Sequence, residues 1–318
     1  MGSDPSSVRG PMSGFVQLGT ILAATLLLGS SFPAGKLLLQ DHNPPFMLAG
    51  FRFILAPLSI GLALAVFGGG KPAMLRPPAS LRDRAAIATI GLLQTAVCIG
   101  CLFLAMQRIP PPAAALLVFT NPIWVATLGV IVLRQPLSVN RMVGLTLGIA
   151  GVALVLTPTS RGPFDAIGYG FGLLSSFWWA GATLLTKKAN PPVSPWALTF
   201  WQMIGGSVAL LCLSKFTGEN WGEAFTSRSD IWVFMWLAIP GSAGAYGLWS
   251  TALRRSKNAG EASAYLFLVP LFATVLSYGV LGSTLSPVQL LGGAAVCLGL
   301  WASTRSSWAV GNPVPTAR

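Results

Sequence analysis

Side chains able to attack a bond, hold a metal or carry a proton are scarce in this chain of 318 residues: one histidine, four cysteines and eight acids. Hydrolysis or group transfer needs a nucleophile, acid, base or metal brought together, and the supply is poorly placed for it. His42 falls in a short hairpin, and the acids lie almost entirely in loops or tails. Cys98 and Cys101 form a C-x-x-C, but inside an apolar run with no histidine and no second pair nearby. Metal or redox chemistry then lacks its partners. With Cys212 and Cys297 they read as small apolar packing residues. No G-x-x-x-x-G-K loop occurs, so nucleotide hydrolysis is not expected to drive anything here. The expectation is a protein that is not an enzyme and uses no metal or cofactor.

What the sequence offers instead is binding chemistry set in apolar runs. Arg52 is a lone charge about seven residues, so roughly 10 Å, inside one such run. A charge at that depth is costly unless paired or hydrated. Two readings stand: it faces a cavity and attracts a carboxylate, or it snorkels outward and ties its helix to a headgroup or a neighbouring carbonyl. Glu261 stands near the start of another run. It could exchange a proton during a transport cycle, or simply complement a helix dipole in the first turn. Ser30, Ser31, Gln94, Thr95, Thr120, Asn121 and Gln202 are polar groups at depth that need partners from another helix or a solute. Trp178, Trp179, Tyr246, Trp249 and Tyr265 supply aromatic faces suited to an amphipathic or partly cationic organic molecule. Trp196, Trp221 and Trp308 fit an interfacial belt better.

The elements that must hold these residues are membrane spans. The chain is 53% hydrophobic and only 9% charged, too little charge to cover a soluble surface. Ten runs approach the roughly 20 residues a span needs: 16–39, 46–67, 85–106, 113–133, 139–156, 167–186, 196–213, 231–253, 260–281 and 287–303. The first is longer than the apolar core of a signal peptide and lacks a convincing cleavage site, so it is kept as a span.

A formal net charge of +12 would suggest nucleic-acid binding in a soluble chain. Here the basic residues sit in short loops. With the N-terminus inside, the inner segments hold Arg9, Lys71, Arg76, Arg82, Arg84, Arg134, Arg141, Lys187, Lys188, Arg254, Arg255, Lys257, Arg305 and Arg318. The outer segments hold only Lys36, Arg108, Arg161, Lys215 and Arg228. That bias predicts both termini in the cytoplasm.

Spans 3–5 can be laid over spans 8–10. Pro122 meets Pro270, and from there Leu137 meets Leu285, Gly144 meets Gly292 and Gly151 meets Gly299 at a constant offset. Five is odd, so the second copy enters the membrane in the opposite sense. Inverted repeats of this kind frame a solute site near the midplane of secondary transporters. Pro122 and Pro270 each remove a backbone hydrogen bond, freeing the carbonyls of Val118 and Leu266, and are candidate hinges. The glycines of spans 5 and 10 read as close-packing positions.

With "LLGSSFPAGKLL" in span 1, "LAGFRFILAPL" in span 2, the paired "TNPIWVATLGVIVL" and "LVPLFATVLSYGVL", and the Gly-rich "VGLTLGIAGVALVL" and "LLGGAAVCLGLWAS", the chain resembles the EamA-like family of the drug/metabolite transporter superfamily. The likeness runs from about Val16 to Ser303. Members often carry a Gly-Glu pair after spans 4 and 9. Here those places read Arg134-Gln135 and Gly282-Ser283, so no role of that carboxylate carries over.

The resemblance implies an all-α integral membrane protein of the bacterial inner membrane. It would divide into a cytoplasmic tail (1–15), a first five-helix repeat (16–157), a periplasmic connection (158–166), a second repeat (167–304) and a cytoplasmic tail (305–318). It further implies export of amino acids or related small metabolites by alternating access, with uptake of a vitamin-like or aromatic solute as the alternative. Expected partners are the small organic solute, a proton or other coupling ion, and membrane lipids, with no nucleic acid. Monomer and homodimer both remain open.

Overall fold

A computed structural model describes residues 14–67, 75–133, 139–155, 165–256 apart from 223 and 226, 265–282 and 286–309. Ten membrane-spanning elements follow in chain order: α1 (Gly14–Gln40), α2 (Pro45–Phe67), α3 (Leu81–Arg108), α4 in two pieces (Pro111–Val118 and Asn121–Leu133), α5 (Val139–Val155), α6 (Ala166–Ala189), α7 (Pro195–Phe216), α8 (Arg228–Arg255), α9 (Leu268–Leu281, after a 3₁₀ turn at Tyr265–Phe267) and α10 (Pro287–Ala309). No strand occurs among the described residues. In lipid every backbone polar group must be satisfied within the chain, which leaves helices as the economical solution. Six of them (α1, α2, α3, α4, α7 and α8) are each long and apolar enough to cross a membrane.

Local sequence sets the helix ends. Pro195 opens α7 behind Ser194, whose hydroxyl accepts from Ala197 N at 3.0 Å. Asp165 caps α6 through Gly168 N at 2.8 Å. Ser286 and Gln289 form a reciprocal capping box on α10, each side chain accepting from the other's backbone N–H. At the far end of α6, Asn190 turns the chain in the left-handed region at φ 39°.

Outward faces carry apolar side chains, as lipid requires. Leu58, Leu62 and Val66 recur every four residues along α2 and are exposed together. Inward, the helices pack in a pattern that survives exchange of the two five-helix units. α1 lies against α8 and α9, and its counterpart α6 lies against α3 and α4. α2 packs on α7, α5 on α10, and α4 on α9. Each unit therefore lends its first helix to the other, so the packed bodies cross the repeat boundary.

Close approach rests on glycine at two of these interfaces. A Cβ at Gly206 of α7 would meet Thr95 Cβ at 2.3 Å and the Gly91 carbonyl at 2.6 Å on α3. One at Gly299 of α10 would meet the Gly144 carbonyl of α5 at 2.5 Å.

Two irregularities occupy matched places. α3 passes through a π turn at Leu92–Val97, and α8 through another at Ile239–Gly244. A π turn shifts bonding from i−4 to i−5 and leaves a carbonyl short of its usual partner. Just before Pro122, α4 breaks after Val118 and resumes at Asn121, and just before Pro270 the 3₁₀ turn precedes α9.

Candidate functional site

The middle residues of both matched π turns are buried, and the turn in α8 is met by polar side chains of α1 and α2. Arg52, the eighth residue of α2, is 3% exposed. Its guanidinium turns inward onto the π turn of α8. Nε donates to Ser242 Oγ, and one Nη donates to the Gly241 carbonyl at 3.1 Å and to Ser31 Oγ at 3.4 Å. Ser31 also donates to Gly241 O at 3.0 Å. The outward snorkel anticipated as one reading does not occur. The backbone tie does, because the π turn presents a carbonyl within reach of an inward-facing cation.

Beside this cluster runs a chain of rings. Phe32 and Phe119 lie 5.8 Å apart between centroids, Phe119 and Trp179 5.2 Å, and Trp179 and Tyr246 6.0 Å with planes only 12° apart. Phe53 meets Tyr246 edge-on at 5.7 Å, and the Arg52 guanidinium carbon sits 4.8 Å from the Phe53 centroid. Such contacts are worth about 0.5–1.5 kcal/mol each beyond burial. Between the rings and Arg52 lies an internal cavity of about 20 Å³, room for roughly one water. Its walls come from both units: Leu28, Ser31 and Phe32 of α1, Arg52 of α2, Ile99, Leu102 and Met106 of α3, Phe119 at the break in α4, Trp179 of α6 and Tyr246 of α8.

Of the residues singled out from sequence, Ser31, Arg52, Trp179 and Tyr246 line this cavity. Gln94, Thr95, Thr120, Asn121, Gln202 and Trp249 are buried but do not line it. Thr120 is tied to Ser176 at 2.9 Å, Gln202 backs onto Gly91 of α3, and Gln94 Nε2 and both amide atoms of Asn121 make no hydrogen bond.

Ser30, Trp178 and Tyr265 stand elsewhere. Ser30 is one step of about 100° round α1 from Ser31. It opens instead onto a lateral apolar groove with Trp232 and Trp236, accepting from Trp236 Nε1 at 3.1 Å. Trp178 joins a peripheral ring pair with Phe177 at 5.3 Å, and Tyr265 is exposed. Glu261 lies outside the described residues.

Phe32, Phe119 and Ser242 are the site residues the sequence did not single out. Leu28, Ser31 and Phe32 do share helical spacing on α1, which was the available signal for Phe32. Ser242 depends on the π turn and had none. Cys98 and Cys101 are free and buried. Ser175 of α6 donates to the Cys98 carbonyl of α3 at 2.8 Å. No cluster of metal-ligating side chains occurs among the described residues.

Further ties fasten both ends of the bundle, some within one unit and some between the two. At the end bearing the α1–α2 hairpin, Glu219 accepts from Phe46 N, Met47 N and Ser214 Oγ at 2.9, 2.8 and 2.6 Å. Lys36 Nζ donates to Met106 O at 2.6 Å. Arg108 pairs with Asp165 at 3.2 Å, and Asp165 is held below the usual carboxylate range by the Gly168 N–H first and by Arg108 second. At the opposite end, Arg254 donates to the Val193 and Pro191 carbonyls and Lys187 to that of Ser256.

These features define a class: a multi-pass membrane transporter of ten helices, built as two inverted five-helix units closed around a shared interior. The chain belongs to the EamA-like transporter family, whose model matches residues 17–157 and again 166–305. It is 28% identical to the uncharacterized inner membrane transporter YedA of Escherichia coli K12, covering 86% of this chain and 85% of that protein. It is 27% identical to a WAT1-related chloroplastic protein of Arabidopsis thaliana over 89% of this chain and 69% of that one. Protein PecM of Dickeya dadantii is 31% identical over 64% of this chain and 68% of its own length. A solved crystal structure matches with a TM-score of 0.69 over 93% of this chain and 99% of its own at 16% identity, which shows the shared fold.

Proposed function

We propose that the central cavity is the solute site of a secondary transporter that exports amino acids or related small metabolites across the bacterial inner (plasma) membrane. The observation that carries this is the cavity's position where both inverted units contribute walls, the place such repeats put a solute. Its polar groups (Arg, Ser, Tyr and Trp) are suited to binding and orienting a solute. The small volume fits a closed state of an alternating-access cycle, since a drug-sized ligand needs about 300–1,000 Å³.

Access would alternate as the body made by α1, α8 and α9 tilts against the body made by α3, α4 and α6. Pro122 and Pro270, next to the matched breaks, are the flexing points. The bias of Lys and Arg toward one set of loops supports cytoplasmic termini, which makes the Glu219 end periplasmic. Glu261 remains the candidate for a coupling proton.

The test compares cells overexpressing and lacking the gene. Intracellular pools of amino acids and aromatic metabolites are measured, and vesicles are loaded with solute on either side. Overexpression lowers at least one pool, and Arg52→Ala weakens that drop. A broad screen in which no pool changes would sink the export reading. Thiol labelling of cysteines placed in the two tails reads the orientation directly, with both reacting from the cytoplasmic side.

A further inference from the structure

Arg52 is buried with no acid among the described residues to compensate its charge. Its acceptors, Ser242 Oγ, Ser31 Oγ and Gly241 O, are all neutral. They satisfy hydrogen bonds but leave a net positive charge in a low-dielectric interior, where an unpaired ion costs several kcal/mol. The ion pair found among the described residues, Arg108–Asp165, involves neither Arg52 nor any cavity residue. Nε and one Nη are engaged, while the other Nη makes no hydrogen bond to a described residue.

A second group in the same cavity is also open. Trp179 is 2% exposed, and its Nε1 is buried without a hydrogen-bond partner. Orphaned buried donors are rare and costly in folded proteins. Both open groups are N–H donors, and one carries a full positive charge. The remaining wall is aromatic and apolar apart from the Ser31 and Tyr246 hydroxyls.

We infer that the transported solute is a small organic carboxylate with a flat apolar body. Once the cavity widens from this closed state of about 20 Å³, the solute's carboxylate is taken by Arg52 and the Trp179 indole N–H, and its body lies among Phe32, Phe119 and Tyr246. This rests on the central cavity being the solute site. A carboxylate supplies the missing counter-charge and accepts from both donors at once. An amine would meet a like charge with no acid among the described lining residues to offset it, and a neutral amide would leave the guanidinium uncompensated. An α-amino acid brings an ammonium for which the cavity wall offers aromatic faces and the Ser31 and Tyr246 hydroxyls, but no carboxylate.

Three probes of one shape and different charge test this on the purified full-length chain in detergent: 3-phenylpropanoate, 3-phenylpropanamide and 3-phenylpropylamine. Binding is read as a ligand-dependent rise in melting temperature. The carboxylate is expected to bind about tenfold or more tighter than the amide, as a charge-assisted hydrogen bond implies, and the amine not at all. Trp179→Phe weakens the carboxylate and keeps the preference for charge. Arg52→Gln removes that preference, and should this variant fail to fold, the wild-type comparison decides alone.

Equal or better binding of the amide or amine overturns the carboxylate assignment, as does failure of the carboxylate to bind. If binding of the amide or amine is weakened by Trp179→Phe, the cavity stands as the site and only its charge selection falls. Probe binding indifferent to both Trp179 and Arg52 overturns the cavity reading as well.

Discussion

Arg52 and Ser242 are joined in a relay. Arg52 Nε donates to the Ser242 hydroxyl, and that hydroxyl donates to the Leu237 carbonyl, five residues back on α8, at 2.8 Å. Leu237 lies at the entrance to the π turn, where i−5 bonding unseats carbonyls from their normal partners. One serine therefore bonds the α8 backbone and anchors the one charged side chain among the described residues lining the cavity. The irregular backbone of α8 and the charge on α2 stabilise each other.

This relay predicts strong coupling. Ser242→Ala leaves a buried donor on Arg52 without its acceptor and is expected to cost about 1–3 kcal/mol of stability. In an Arg52→Met background, where the donor is gone, the same change should cost a few tenths of that. A double-mutant cycle on thermal unfolding measures the difference. Equal costs in the two backgrounds would show that Ser242 does not act through Arg52.

Adjacent glycines on α7 give a contrast with an internal control. Gly206 faces α3 so closely that a Cβ would meet Thr95 at 2.3 Å, whereas Gly205 has nothing within 4 Å. Gly206→Ala forces backbone separation and is expected to destabilise by about 1–3 kcal/mol, the usual range for overpacking. Gly205→Ala should change stability by no more than about 0.5 kcal/mol. Comparable losses in the two variants would mean that α3 and α7 are not held at this distance.

Much of this architecture was legible in the residues. Each of the ten runs fell on one of the helices found, because the need to satisfy backbone groups in lipid makes apolar length a direct signal. The start of the ninth, at residue 260, lies outside the described residues. Phase around each helix was another matter. A span apolar on nearly every side has no polar face to set its rotation, so Ser30 and Ser31 could not be told apart by composition, and only Ser31 reaches the cavity. The π turns were not legible either, since no residue in Leu92–Val97 dictates i−5 bonding over the usual i−4. Contacts between distant loops were equally hidden: Glu219 meets Phe46 and Met47 across most of the chain's length.

Glu219 is worth testing in its own right. Its carboxylate accepts from two backbone N–H groups at the start of α2, where unsatisfied donors and the helix dipole favour an anion. Glu219→Gln removes the charge and turns an amide toward those donors. The expected loss is about 1–2 kcal/mol, seen as a lower melting temperature. Glu219→Asp, with a shorter reach, should fall between. If Gln behaved like wild type, the carboxylate would be a bystander to the α2 terminus.

Asp165 carries the pH prediction. The Gly168 N–H and the Arg108 guanidinium both favour its ionised form, so its folded pKa lies below the ordinary value of 3.8. The unfolded chain therefore takes up a proton at a higher pH than the native one does, and stability falls as the medium is acidified. The carboxylate's contribution is complete well above 3.8 and disappears as pH drops through the folded value. Asp165→Asn deletes that titration. Melting temperatures of the two proteins should differ by a constant amount at about pH 6 and converge toward about pH 3, with the gap narrowed by salt because the pair is partly exposed. A gap that held constant down to the acid end would mean that capping of α6 by the neutral side chain, and not its charge, fastens this loop.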